Sequence, residues 1–169
     1  MSKTMINSIL IKMETAWIIR PIEDSDASEW LRMRLALWPD SDEAQQAGEI
    51  QIFLASSPPT PSPTLHAVFV CQRLQGGLCG VVEVSIRPYA DGCETNNVGY
   101  LEGWYVDPET RGRGIGRALV KAAEDWAREQ GCLEMGSDCD LENIPSQAAH
   151  RKLGYQETGR VIQFCKSLR

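Results

Sequence analysis

Apolar side chains recur along this chain in two rhythms, and the two alternate in blocks. Trp17-Ile-Ile-Arg-Pro-Ile22 reads as a short strand that Pro21 ends or confines to a sheet edge. A helix is expected to start at Asp24-Ser-Asp26, where Asp26 and Glu29 stand at capping-box spacing. Ala27, Trp30, Leu31, Leu35 and Trp38 would form its buried stripe, and Pro39 ends it. A second helix is predicted over Glu43 to Leu54, with Ala47, Ile50 and Leu54 on one face. The proline-rich run Ser56 to Thr64 suits neither element and reads as a loop.

The next block has the period of strands. His66 to Arg73 and Leu78 to Ile86 are rich in valine and flank Gln75-Gly-Gly77, a hairpin signal. A loop from Arg87 to Val98 leads into the strand Gly99 to Val106, and a loop of that length in a compact domain often carries function. Helical spacing returns over Gly112 to Gln130, where Ile115, Leu119, Ala122 and Trp126 share a face and Gly131 supplies the residue after the C-cap. Leu133 to Asp138 is predicted as a strand, Ile144 to Leu153 as a helix, and Tyr155 to Lys166 as a final strand or strand pair. The order βααβββαβαβ has no internal repeat. It specifies one α/β domain over residues 17–169, with residues 1–16 as a poorly ordered lead-in.

Composition narrows the function classes. With 43% hydrophobic residues in 169, a real core is available. Seventeen Lys and Arg against 23 Asp and Glu leave a net charge of −6, which argues against nucleic acid and favours a cationic partner. No apolar run approaches the roughly 18 to 20 residues of a membrane span. The six cysteines form no C-x-x-C pair, and with two histidines no metal site is expected. Ile9 to Ile11 is too short for a signal core and is followed at once by Lys12, so a cytoplasmic protein with reduced thiols is expected.

The most informative segment lies between a strand and the longest amphipathic helix: Arg111-Gly-Arg-Gly-Ile-Gly-Arg117. Its glycines let the backbone turn and approach a ligand closely, and the helix that follows begins with unpaired N–H groups and partial positive charge. Such a start holds a pyrophosphate, and Arg111, Arg113 and Arg117 add formal charge. The segment lacks the P-loop pattern, and Arg117 stands where a dinucleotide fingerprint needs its last glycine. A plain strand-to-helix turn packed with glycines is the alternative; the interleaved arginines favour phosphate.

Arg111 to Gly116 resembles the R/Q-x-x-G-x-G/A signature of the GNAT N-acetyltransferases. Leu37-Trp-Pro39, Ile86-Arg-Pro-Tyr89-Ala-Asp-Gly-Cys93, Leu101-Glu-Gly103, Ser137-Asp138 and Glu142-Asn143 further resemble the aminoglycoside 6′-N-acetyltransferases. The resemblance implies a single-domain GNAT fold, a mixed twisted sheet of about six to seven strands flanked by helices. It implies transfer of acetyl from acetyl-CoA to the 6′-amine of a cationic aminoglycoside, with antibiotic resistance as the result, and a homodimer. It assigns Arg111, Gly112, Arg113, Gly114, Ile115, Gly116 and Arg117 to the pyrophosphate, and Trp104, Tyr105, Val106 and Asn143 to the pantetheine arm. Glu102 and Asp138 fall at the amine end, with Trp38 and Tyr89 as walls.

Those positions make chemical sense on their own terms. Gly103 in an aromatic strand suggests a bulge that frees the amides around Trp104 to Val106, and an amide aimed at a developing oxyanion contributes roughly 3 to 4 kcal/mol. Alternation puts Glu102 on one face with Tyr100 and Trp104. A protonated amine is no nucleophile, so a carboxylate must take its proton. Glu102 equally suits a strand-edge ion pair, Asp138 a helix N-cap, and Trp38 the core. Asp40, Asp42, Glu43 and Glu49 could extend the negative field. His150 stands where many acetyltransferases keep the tyrosine that protonates the departing thiolate, and Gly159 where an acid is expected. Other acceptors fit the same chemistry, among them another small amine or a protein N-terminus, and so does a sensor that binds acyl-CoA without turnover.

Overall fold

The computed structural model describes residues 17–55 and 67–169. Five strands and four helices follow in order: β1 (Trp17–Pro21), α1 (Ala27–Leu37), α2 (Glu43–Ala55), β2 (Ala67–Arg73), β3 (Leu78–Arg87), β4 (Val98–Val106), α3 (Ile115–Glu129), β5 (Met135–Ser137) and α4 (Ile144–Leu153). They form one sheet in the order β1-β2-β3-β4-β5. Every pairing is antiparallel except β4 with β5. The α/β class and the mixed sheet hold, with five strands among the described residues in place of six or seven. No described helix is long and apolar enough to cross a membrane. The proposed lead-in and the proline-rich loop fall outside the described residues.

β3 is buried along Leu78 to Ser85 because helices cover both faces of the sheet. Val82, Val84 and Leu101 pack with Ile115, Leu119, Val120 and Ala123 under α3. On the other face Val68, Val70 and Val81 meet Trp30, Met33 and Ile50 of α1 and α2. The stripe expected on α1 is therefore rotated: Met33 and Arg34 are buried, whereas Leu31 and Leu35 are only half-buried. Arg34 is tolerated there because Glu83 of β3 faces it, Nε to Oε1 at 3.0 Å, while Trp30 Nε1 donates to the same carboxylate at 2.6 Å. Asp26 does not pair with Glu29; its Oδ2 accepts the Glu23 N–H at 2.9 Å and closes a single 3-10 turn, Asp24–Asp26, ahead of α1.

Two predicted elements contract. Only Met135–Ser137 of the expected strand pairs, because β4 offers it Gly99, Tyr100 and Leu101 alone. From Tyr155 to Arg169 the chain forms no strand and presents Phe164 and Leu168 at 92% exposure. A strand needs a neighbour to receive its N–H and C=O groups, and this tail has none within the described chain.

Candidate active site

β4 outlasts its parallel partner. The last pair between them is Leu101 with Ser137, so from Glu102 to Val106 no described strand lies along that edge. Past the end of β5 this leaves an opening beside β4. Its floor is irregular, because Val84 pairs with Leu101 and Glu83 with Gly103, leaving Glu102 as the unpaired residue of a bulge. The bulge thus lies one residue before the glycine that hinted at it. It also breaks the alternation: Glu102 stays on the side of Tyr100, but Trp104 turns to the other face and lies under α3.

One network joins the two acids at this end. Arg87 holds Glu102 with two hydrogen bonds, Nε at 2.9 Å and a terminal nitrogen at 2.5 Å, and Ser85 donates to the same carboxylate. The Arg87 guanidinium lies 3.5 Å from the centre of the Tyr100 ring. The Tyr100 hydroxyl donates to Asp138 Oδ1 at 2.6 Å. Tyr100 reaches across β5 because Gly136 has no side chain; a Cβ there would stand 2.8 Å from the ring. Burial first, then the bond to Asp138, pushes the Tyr100 phenol well above its ordinary range, so it remains a donor. Glu102 is therefore an ion-pair partner at the unpaired position of the bulge, and Asp138 is not an N-cap. That role belongs to Asn143, whose Oδ1 accepts the Ser146 N–H at 3.1 Å at the start of α4.

Trp38 follows α1 and is half-buried, its ring packed so closely on Gly103 that a Cβ would stand 2.8 Å away. Tyr89 is 64% exposed on the loop after β3, bonded to Asp91. That loop is pinned by Glu134, which accepts the backbone N–H groups of Glu94 at 3.0 Å and Thr95 at 2.6 Å. The tail crosses it at Gly92, where a Cβ would meet Thr158 at 2.2 Å. Two of the outlying acids have other work: Glu49 pairs with Arg34 at 3.0 Å, and Asp42 Oδ1 accepts the Gln45 N–H at 2.8 Å.

The other end of the cleft is the glycine–arginine turn. Buried Asp107 anchors it, its N–H on Cys79 O at 2.9 Å and its carboxylate on Arg32 and Arg73, each at 2.8 Å. Burial opposes ionisation of Asp107, but the hydrogen bonds of Arg32 and then Arg73 prevail and hold it below the usual carboxylate range. Gly112 and Gly114 have φ of 76° and 83°, left-handed values that L side chains avoid. Gly114 is the N-cap of α3 and adds no side-chain cap, so α3 begins at Ile115 rather than Gly112 with its first N–H groups uncovered. Gly116 answers a different need, close approach to Trp104. Arg111, Arg113 and Arg117 are exposed around this turn; Arg111 Nε also bonds Val106 O at 2.9 Å. Uncovered amides and exposed guanidinium groups thus meet at the end of an open strand edge.

His150 sits beneath the cleft, its ring edge-on to Trp104 and Tyr155 with centroids 5.5 Å from each. Its Nδ1 lies 2.8 Å from Ser146 O and its Nε2 2.9 Å from Ser137 Oγ. Beside it a cavity of about 900 Å³ runs between β5, α4 and the tail, with Ser137, Asp138 and His150 in its lining. The sequence assigned no role to Arg87, Tyr100 or Ser137, although all three lay in or beside the segments it singled out. Arg87 stood within the Ile86-to-Cys93 segment, but nothing in a single chain showed which acid it would face. Among the described residues no cluster of three or more His, Cys, Asp or Glu is placed to hold a metal.

Comparison with known proteins identifies the family. The profile of the Acetyltransferase (GNAT) family matches residues 26–155. An aminoglycoside N(6′)-acetyltransferase type 1 of Klebsiella aerogenes is 44% identical over 156 residues, which span 92% of this chain and 100% of the relative. One from Stenotrophomonas maltophilia is 41% identical over 147 residues, 86% of this chain and 90% of the relative. The solved structure of AAC(6′)-Iy in complex with the bisubstrate analog CoA-S-monomethyl-acetylneamine superposes with a TM-score of 0.80 at 32% identity, covering 90% of this chain and 99% of that one.

Proposed function

This chain belongs to the GNAT acetyltransferase family, and from that premise we propose that it transfers acetyl from acetyl-CoA to the 6′-amine of aminoglycosides, conferring resistance to them. The observation that carries the reading is the unpaired edge of β4, which starts beside Glu102 and Asp138 and ends in the glycine–arginine turn. Acetyl-CoA supplies a thioester carbonyl open to attack and a sulfur that can leave. The amides opening α3, with Gly112, Gly114, Ile115 and Gly116 in the turn and Arg111, Arg113 and Arg117 around it, take the diphosphate. The backbone of Trp104, Tyr105 and Val106 pairs with the pantetheine arm as a missing strand would, and Asn143 closes on it from α4.

Glu102 and Asp138 draw in the polycationic sugar, with Trp38 and Tyr89 against its rings. Arg87 already occupies Glu102, which leaves Asp138 as the acceptor of the amine proton, directly or through water. His150 returns a proton on the sulfur side. Acetyl-CoA is an intracellular metabolite, which supports action in the cytoplasm. The exposed Val161, Ile162, Phe164 and Leu168 of the tail support a homodimer in which a second copy covers them.

Thiol release measured with 6′-amino and 6′-hydroxy aminoglycosides tests the assignment. Turnover is expected with the amines alone, and Asp138→Ala is expected to lower it at least about 100-fold. Equal rates with both acceptor classes, or full activity of both Glu102→Ala and Asp138→Ala, would refute it.

A further inference from the structure

The bulge and the β4–β5 register give Asp138 and Ser137 different proton chemistry. Tyr100 pairs with Gly136 and carries Asp138 and Arg87 on the face toward α1. Leu101 pairs with Ser137, and its side chain lies in the layer under α3. Asp138 follows the end of β5 and meets the Tyr100 hydroxyl on the first face, whereas Ser137 Oγ turns to His150; both line the cavity beside α4, but they serve different partners. The amine must lose a proton on the acidic side. The sulfur must receive one, and Asp138 is already committed across the sheet.

On the sulfur side the hydrogen bonds restrict what His150 can do. Its Nδ1 lies 2.8 Å from Ser146 O, a carbonyl that can only accept, and 3.3 Å from Ser146 Oγ, a hydroxyl that can turn to accept as well, so an Nδ1–H satisfies both contacts. The other nitrogen, Nε2, faces Ser137 Oγ at 2.9 Å. Trp104 and Tyr155 meet the ring edge-on and fix its plane. Any proton exchanged by this imidazole therefore passes through Nε2, and the atom waiting there is the Ser137 oxygen. Ser137 is also the last residue of β5. A ligand that continues the sheet beside Glu102 to Val106 begins where Ser137 ends.

We propose that Ser137 is the proton donor to the departing sulfur and that His150 acts only through it, as the group that reprotonates the serine. This inference rests on the acetyl-transfer reading. As the C–N bond forms and the C–S bond breaks, the sulfur takes the Ser137 hydroxyl proton. The amine proton leaves toward Asp138. Ser137 takes the Nε2 proton of His150, and the imidazole regains a proton from solvent as Asp138 gives the amine proton up to solvent. The sum is amine plus acetyl thioester giving amide plus free thiol.

A double-mutant cycle on kcat, read by thiol release with a 6′-amino aminoglycoside, tests the pair as one unit. Ser137→Ala and His150→Asn are each expected to lower kcat about 100-fold, and the double variant no further, since residues acting in series are not additive. Ser137→Thr, which keeps a hydroxyl, is expected to recover most of the loss. Acetyl-CoA affinity by calorimetry and the melting temperature are expected to stay near wild type in Ser137→Ala and Ser137→Thr, which separates relay from packing. Wild-type kcat in Ser137→Ala, or losses that multiply in the double variant, would overturn the relay while leaving acetyl transfer intact. Wild-type protein that releases no thiol from any 6′-amino acceptor would overturn the reading beneath it, and the relay with it.

Discussion

Replacing Gly116 by alanine would put a methyl carbon 2.8 Å from Trp104 Cζ2 and 3.3 Å from its Cε2 and Nε1. Carbon atoms rest comfortably near 3.5 Å, so helix and ring must separate by roughly 0.7 Å. The ring has little room to retreat, because His150 meets it edge-on with centroids 5.5 Å apart. The start of α3 must therefore move away from the end of β4, and with it the uncovered amides assigned to the diphosphate. Overpacking of this size costs about 1–3 kcal/mol, a fall in Tm of roughly 2–12 °C for a chain of this length. Misplacing a bound reactant by about 1 Å costs on the order of 100-fold in rate. Steady-state kinetics should show kcat/KM for acetyl-CoA reduced about 10- to 100-fold, with a smaller change in KM for the amine. Gly112→Ala is the companion: open space surrounds that position, so any loss there comes from its φ of 76° rather than from contact. Gly116→Ala protein with wild-type affinity for coenzyme A and an unshifted Tm would refute the claim that this helix start grips the donor.

Other outcomes follow from the same geometry. Tyr100→Phe keeps the ring under Arg87 but removes the 2.6 Å bond to Asp138; charge-assisted bonds are worth about 1.5–3 kcal/mol, so kcat/KM for the amine should fall at least about tenfold while KM for acetyl-CoA holds. Arg34→Met leaves the Glu83 carboxylate buried without its cation and should destabilise by roughly 3–5 kcal/mol in urea unfolding, with Glu83→Leu added in the same chain restoring most of it. Stability should also fall in acid. The Arg20 hydrogen bond lowers the pKa of Asp26 in the fold, so the stabilisation is present above the unfolded value near 4 and is lost as pH drops through the folded one. Asp26→Asn should flatten that acid limb in thermal melts between about pH 5 and 2; an unchanged limb would remove the ion pair from the account.

Local signals in the chain were sufficient for the hairpin, for α3 and the Gly131 that follows its C-cap, and for the turn with its glycines, because each depends on spacing within a few residues. The misread parts depend on pairing across long intervals. Alternation in Val161 to Cys165 says that one side is apolar, yet a strand exists only beside another strand. Gly103 drew attention to a bulge, but only the register with β3 shows that Glu102 is its unpaired residue and that Trp104 changes face. Nothing adjacent in the chain marks Arg34 and Glu83 for burial; the packing of α1 on β3 buries both. Ser137 and His150 stand thirteen positions apart, and no pattern in the intervening residues announces their hydrogen bond.

A strand that no described strand flanks between Glu102 and Val106 is also a template for any other extended chain. Whatever small molecule lies in that slot shields the exposed ladder as well as reacting. Preparations depleted of it should drift toward association, and their heat resistance should rise with its concentration, by about 2.7 kcal/mol at a hundredfold excess over Kd. Catalytic capacity and shelf life would then share one occupant.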